Sequence, residues 1–401
     1  MKSIVLLGDG MADEPIEELG GKTLLEVAHI PFMDKLAASG ELGMVRTVKP
    51  GFPPGSDVAN MSVLGLDPGT YYKGRAPIEA VSMGVDLQES DTAFRINLVT
   101  LSRQGRSSIM EDYCSGHIST GEARVLIEAL SVLVRNYPGI RVYPGVEYRH
   151  LMVINEYDNK GLKTKPPHDI TGQCIDEYLP NDELLLELIE RSKEVLKDHP
   201  VNLARRAQGK REATAIWPWG EGKGQKVPTL QDEYGITGSM ISAVDLLKGL
   251  GILRGMEVIN VPGATGWIDT DYQGKAKAAM DSLSFHDLSF IHVEAPDEAG
   301  HAGLIKEKIQ AIEHFDEKVV GQVLMHMEEK AEPFRVLFLP DHPTPIRKRT
   351  HTADPVPFAI YDSTNPRGNK WKFTEKDAMQ TGLFIEEGYT LLRRLLSRAE
   401  S

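Results

Sequence analysis

Three short apolar runs, SIVLL at residues 3–7, LSFIHV at 288–293 and VLFL at 336–339, are too continuously hydrophobic for strands with one face in water. Strands buried on both faces belong to mostly parallel sheets covered by helices, so these runs commit the chain to an α/β fold. In open sheets of that kind, ligands gather beyond the carboxyl ends of the strands. Asp9 follows the first run, Asp297 and His301 the second, and Asp341, His342 and, a basic loop later, His351 the third. Aspartate oxygens and neutral imidazole nitrogens suit Zn2+ or Mn2+. Asp297 and His301 lie one helical turn apart, so a helix would put both on one face.

A chain of 401 residues exceeds one ordinary domain, and its texture changes near residue 90. Residues 93–101 and 149–154 alternate apolar and polar as half-exposed strands do, with helical patterns at 120–134 and 182–196 among and after them. We therefore expect a smaller α+β insertion at residues 90–215, between the two parts, 1–89 and 216–401, of the first domain. The stretch from 216 to 270, rich in Trp, Pro and Gly, reads as the return to that domain. Other helices are expected at 31–39, 57–64, 241–250, 306–329 and 386–398, the last two as packing elements.

Composition removes several classes of function. A net charge of −13 argues against nucleic acid as the natural partner and still allows a small anionic substrate at a local basic cluster. Cys114 and Cys174 are the only cysteines, which excludes a disulfide framework and fits a reducing compartment. No apolar run approaches the roughly 20 residues needed to cross a bilayer. The expectation is a cytoplasmic protein without membrane association, compatible with a homo-oligomer.

The loop GFPPGSDVANMSVLG places Ser56 at the start of a helix. Taken alone it reads as an N-cap; in the company of the ligand residues it reads as a nucleophile, because a helix N-terminus favours both an alkoxide and a phosphoryl group. His117, Arg149, His150, His168, Arg205 and Arg206 would give the insertion an anion-binding face, although each taken singly reads as a solvated or capping residue. Of these, His117, Arg149, His168 and Arg206 are the candidate substrate contacts. Lys275, at the opening of a helix, is a further candidate, with an ordinary surface lysine as the simpler reading.

Two divalent ions roughly 4 Å apart lower the pKa of a serine hydroxyl and clamp the oxygens of an in-line phosphoryl displacement. On this reading Asp297, His301 and His351 hold one ion, and Asp9, Asp341, His342 and Ser56 hold the other. A phosphoserine formed at Ser56 passes its phosphoryl group to water in a phosphatase, or to a substrate hydroxyl in a mutase or transferase. An insertion that closes over the site and excludes water favours transfer.

The motifs GDGMAD, PGSDVANMSVLG, YYKGRAPIEA, PPHDITG, ISAVDLLKGLG, VPGATG, EAPDEAGH, LPDHPTP and THTADPVPF together resemble the archaeal-type cofactor-independent phosphoglycerate mutases of the alkaline phosphatase superfamily. The resemblance runs over essentially the whole chain. It implies an alkaline-phosphatase-like central sheet, mostly parallel with helices on both faces, interrupted by a smaller substrate domain. It also implies a serine nucleophile matching Ser56, two divalent ions (Mn2+ first, with Zn2+, Co2+ or Mg2+ as alternatives), and interconversion of 3-phosphoglycerate and 2-phosphoglycerate without 2,3-bisphosphoglycerate. The chain departs from the pattern at DYCSGHIS, where relatives tend to carry an arginine-rich segment. That departure bears on substrate identity and keeps a phosphomonoesterase, or a phosphotransferase such as the homoserine kinase proposed for bacterial sequences of this branch, as the alternative.

Overall fold

The computed structural model describes residues 1–105 and 107–397. The chain divides into two compact units, residues 1–72 with 226–401 and residues 73–225.

The first unit is built on an eight-stranded sheet whose centre is the N-terminal strand, Lys2–Gly8. Phe334–Leu339 pairs parallel on one side of it and Leu288–Val293 on the other, so all three apolar runs are adjacent central strands. Beyond Leu288–Val293 lie Gly238–Ile241 and Glu257–Val258, both parallel. Beyond Phe334–Leu339 lie Val356–Asp362, Glu41–Val45 and Phe384–Ile385. Val356–Asp362 runs antiparallel to both its neighbours, while every other pairing in the sheet is parallel. Side chains alternate across a strand. Ile4 and Leu6 therefore join the core under helices Pro31–Ser39, Tyr272–Ser282 and Ile305–Phe315, while Val5 and Leu7, equally buried, face the other way. Helices Asp245–Leu253 and Leu391–Leu396 contact strands Gly238–Ile241 and Phe334–Leu339. Pro31 opens its helix and Gly40 follows its last residue, as expected from proline's fixed φ and missing N–H.

The expected helix at 306–329 is not one regular helix. Ile305–Phe315 passes into a π-helical turn at Asp316–Val320 before Gly321–Lys330 resumes the α-helix. The turn serves a neighbour: the Asp316 carboxylate accepts the backbone N–H groups of Phe32 and Met33, two otherwise unpaired donors at the start of helix Pro31–Ser39. The C-terminal helix is also shorter than 386–398, running from Leu391 to Leu396 after a 3-10 turn at Gly388–Thr390, and Arg398 lies outside the described residues.

The second unit is an antiparallel sheet of strands Thr92–Gln104, Ser107–Asp112, Ile140–Tyr143, Arg149–Ile154 and Ala215–Lys223. Phe94, Ile96 and Leu98 pack under helices Thr120–Val134 and Glu183–Lys197. Ala93 faces the other side, against Ala76 and Ala80 of helix Arg75–Ser82. Both edges of this unit lie outside the 90–215 expected from sequence. Helix Arg75–Ser82 covers one sheet face, and the WPWGEGK stretch is a full strand paired with Thr92–Gln104 rather than a return to the first unit. Among the described residues no helix is long and apolar enough to cross a membrane.

Candidate active site

The carboxyl ends of the three central strands deliver Asp9, Asp297 and the Asp341–His342 pair to one place. Asp9 follows Gly8, and helix Ala295–Ala302 opens just after Val293, with Asp297 in its first turn and His301 in its last. The loop after Leu339 supplies Asp341, His342 and, before the next strand, His351. Gly10 lies between these parts at φ 62, where a Cβ would stand 2.6 Å from Asp297 Oδ1 and 2.7 Å from Thr344 Oγ1. Only glycine fits there, and its N–H donates to Asp341 Oδ1 at 3.2 Å.

Two groups of donor atoms result, each within 4.8 Å: Asp297, His301 and His351, and Asp9, Asp297 and His342. Asp297 belongs to both, where the sequence had given it to one. Asp341 is tied to the second group, its Oδ2 lying 3.3 Å from His342 Nε2. His301 accepts nothing at Nδ1, which faces the Arg349 carbonyl at 3.0 Å as a donor and so leaves Nε2 turned to the site.

Ser56 is the first residue of helix Ser56–Val63 and does not cap it, since Gly55 is the N-cap and no side chain caps that end. Its Oγ lies 3.1 Å from His342 Nε2 instead. Ser56, Asp9, Asp297, His301, Asp341, His342 and His351 are therefore brought together.

The electrostatics of the cluster favour a cation. Burial, then the charges of Asp341 and Asp297, push the Asp9 carboxyl well above the usual carboxylate range. Asp9 Oδ1 is buried with no hydrogen-bond partner among the described residues. Burial opposes ionisation of Asp297 too, but hydrogen bonds from His301 and His351 outweigh it and hold Asp297 well below the usual range. The His301 imidazole, which burial alone would lower, is raised to about 9 by the Asp297 carboxylate. His342 is lowered to about 4 by burial. A buried set of carboxylate oxygens and imidazole nitrogens that cannot satisfy its own negative charge fits a divalent ion.

Three further residues complete the cluster. Asn60, fully buried, donates through Nδ2 to Asp341 Oδ2 at 2.8 Å and to the Ser56 carbonyl at 2.9 Å, tying Asp341 to the serine's own turn. Thr344 Oγ1 donates to Asp297 Oδ1 and faces His342 Nδ1 at 3.2 Å, which leaves His342 Nε2 for the site. His292, inside the strand Leu288–Val293, meets Asp9 Oδ2 at 2.8 Å. Asn60 follows Ser56 by one helical turn, a spacing the sequence does show.

The remaining candidates are dispersed. Lys275 is not a surface lysine: it is fully buried, its Nζ donates to the His292 carbonyl at 3.2 Å, and burial lowers it to about 8. Arg206 is exposed and engaged by both Glu212 oxygens, at 2.8 and 2.7 Å, and Arg205 is buried on Glu122 and the Ser115 carbonyl. His150 is buried and lowered to about 3 by burial. His117 is exposed, with φ 50. Arg149 and His168 do share a face of the second unit. Arg149 covers the Tyr148 ring at 5.2 Å, and edge contacts run from Tyr148 to Tyr113, His168 and Trp219, over which Arg95 sits at 4.4 Å.

A family model described as 2,3-bisphosphoglycerate-independent phosphoglycerate mutase matches residues 37–202. The chain is 51% identical over 401 residues to the 2,3-bisphosphoglycerate-independent phosphoglycerate mutase of Methanosarcina acetivorans, covering 99% of this chain and 100% of the relative. It is 49% identical over 402 residues to a probable enzyme of the same name from Geobacter sulfurreducens, with 99% and 100% covered. A solved structure from Pyrococcus horikoshii matches with a TM-score of 0.82 at 30% identity, covering 100% of this chain and 98% of that one. The cofactor-independent phosphoglycerate mutase of Thermoplasma acidophilum matches at 0.65 and 27%, with 99% of each chain covered. The chain therefore belongs to the 2,3-bisphosphoglycerate-independent phosphoglycerate mutase family.

Proposed function

We propose that the chain interconverts 3-phosphoglycerate and 2-phosphoglycerate through a phosphoserine at Ser56. The observation that carries this is the Ser56 hydroxyl, free of any capping duty and turned toward His342 within a cluster of carboxylates and imidazoles. We assign Asp297, His301 and His351 to one divalent ion and Asp9, Asp341, His342 and Ser56 to a second, with Mn2+ the first choice. Bound there, divalent ions lower the pKa of a serine hydroxyl and neutralise phosphoryl oxygens.

Ser56 gives up its hydroxyl proton as Oγ attacks phosphorus in line, the bond from phosphorus to the substrate's C3 oxygen breaks, that oxygen takes up a proton, and glycerate is left beside phosphoserine. The C2 hydroxyl of glycerate then loses its proton and attacks the same phosphorus, the bond to Ser56 breaks, and Oγ takes up a proton to restore the serine. Asn60 holds the Ser56 turn against Asp341 through both exchanges. Arg149 and His168 are the insertion residues whose placement suits a carboxylate or phosphate, since a guanidinium fork matches either.

The test is a coupled assay of purified protein with 3-phosphoglycerate, enolase and Mn2+, run beside a free-phosphate assay and after chelation. Phosphoenolpyruvate formation that is lost on chelation and restored by Mn2+ is expected. Release of phosphate without phosphoenolpyruvate would instead make the protein a phosphomonoesterase.

A further inference from the structure

We infer that His292 is a positioning residue that makes Asp9 a one-oxygen ligand, and that Ser242 sets the ring that does so. This rests on the metal assignment above. His292 sits inside a fully buried strand. A histidine at such a place is costly unless both nitrogens are paired, and both are: Nδ1 lies 3.0 Å from Ser242 Oγ and Nε2 lies 2.8 Å from Asp9 Oδ2. Strand register puts the pieces together. His292 pairs with Leu7, so Asp9, two residues further on, turns to the same face.

The direction of the hydrogen bonds follows from Asp9. An ionised Asp9 Oδ2 can only accept, so Nε2 donates to it, and Ser242 Oγ, which accepts the Val244 N–H at 3.0 Å, keeps its own proton for His292 Nδ1. A neutral ring that accepts at Nδ1 carries its proton on Nε2, and that proton faces Asp9 Oδ2. Asp9 Oδ2 is thereby engaged on the His292 side. Oδ1, buried and without a hydrogen-bond partner among the described residues, stands 3.6 Å from His342 Nε2 as the oxygen no protein donor competes for. Lys275 anchors the strand from below, donating to the His292 carbonyl. Outer partners of this kind orient a ligand and raise metal affinity by about 10- to 100-fold.

The alternative is that His292 is only a satisfied core residue. Two substitutions separate the readings. In His292→Gln the side-chain amide reaches as far as Nε2 and keeps a donor for Asp9. In His292→Asn the amide reaches only as far as Nδ1, keeping a partner for Ser242 and losing Asp9. Calorimetric titration of the full chain with Mn2+, and visible absorption with Co2+, read the site without turnover. His292→Asn is expected to weaken one of two ions by about 10- to 100-fold and to change the Co2+ spectrum, with His292→Gln within about threefold of the parent. Equal affinities and spectra for the two variants would overturn the inference. A parent chain that binds no ions would instead overturn the metal assignment itself. Ser242→Ala, which leaves the strand sequence intact, should weaken the same ion in the same direction, and an unchanged affinity there would also count against the inference if His292→Asn does not fold.

Discussion

The Nε2 atoms of His301 and His351 face each other at 2.9 Å. Two bare lone pairs cannot meet at that distance, so one nitrogen carries a proton, and the Asp297 carboxylate raises His301 to about 9. A cation held by these two rings has to displace that proton. Ion affinity at the Asp297–His301–His351 group should therefore rise with pH up to about 9 and level off above it, with protons released into a weakly buffered solution during titration at pH 7. A titration that releases no protons would contradict this.

Ser56→Ala should reduce turnover by at least about a thousandfold, since a nucleophile is lost. Stability should change by no more than about 1.5 kcal/mol, because the hydroxyl caps nothing and gives up only its hydrogen bond to His342 Nε2. Ser62, in the same helix, is not expected to replace it, because it is buried and its hydroxyl donates to the Val58 carbonyl at 3.3 Å. Acid-stable phosphate incorporated into the Ser56→Ala protein would refute the assignment.

Lys308 is fully buried, with its Nζ 2.9 Å from Asp13 Oδ2 and 2.8 Å from the Thr344 carbonyl. Lys308→Met leaves a buried carboxylate without its cation and should cost about 3–5 kcal/mol in chemical denaturation. Adding Asp13→Asn should recover part of that loss. Additive losses in the double variant would show that the two residues are not coupled.

Burial raises the Glu375 carboxyl from 4.5 to about 7, against hydrogen bonds from Thr23 and the Asp13 N–H. The folded state thus keeps a proton that the unfolded chain loses. Its stabilising contribution is complete below pH 4.5 and disappears as pH rises through about 7. The difference amounts to at most roughly 3 kcal/mol. Glu375→Gln, which stays neutral, should gain stability relative to the parent between pH 5 and 8 by up to that amount. Parallel stability profiles for the two proteins across this range would show that Glu375 does not titrate there.

The candidate ligands other than Ser56 were legible because each lies after an apolar run in the chain, so local pattern alone reaches them. Their supports were not. His292 and Asp9 are 283 residues apart in sequence and Asn60 and Asp341 are 281 apart, so nothing local marks either pair. Lys275 was misread for the same reason: helical spacing detects apolar faces and is blind to a buried cation whose partner comes from elsewhere, as it is at Lys308. The π turn at Asp316–Val320 escaped because one added residue scarcely disturbs a helical pattern. Proline and glycine hid the strand Ala215–Lys223, since both usually mark loops. The split of candidate anion contacts between Arg149 and His168 on one face and Arg206 on Glu212 is likewise set by packing that residue type does not encode.

The antiparallel strand Val356–Asp362 has a consequence for the loop before it. Because it returns beside Phe334–Leu339, with Phe338 opposite Ala359, the loop at residues 340–355 has both ends pinned to adjacent strands. The entropy of closing that loop is lost when the sheet forms, not when a ligand arrives. Asp341, His342 and His351, with Thr344 beside them, are thus carried by a hairpin-like span at the end of an otherwise parallel sheet, and an ion held by the first three need not order the ends of that span.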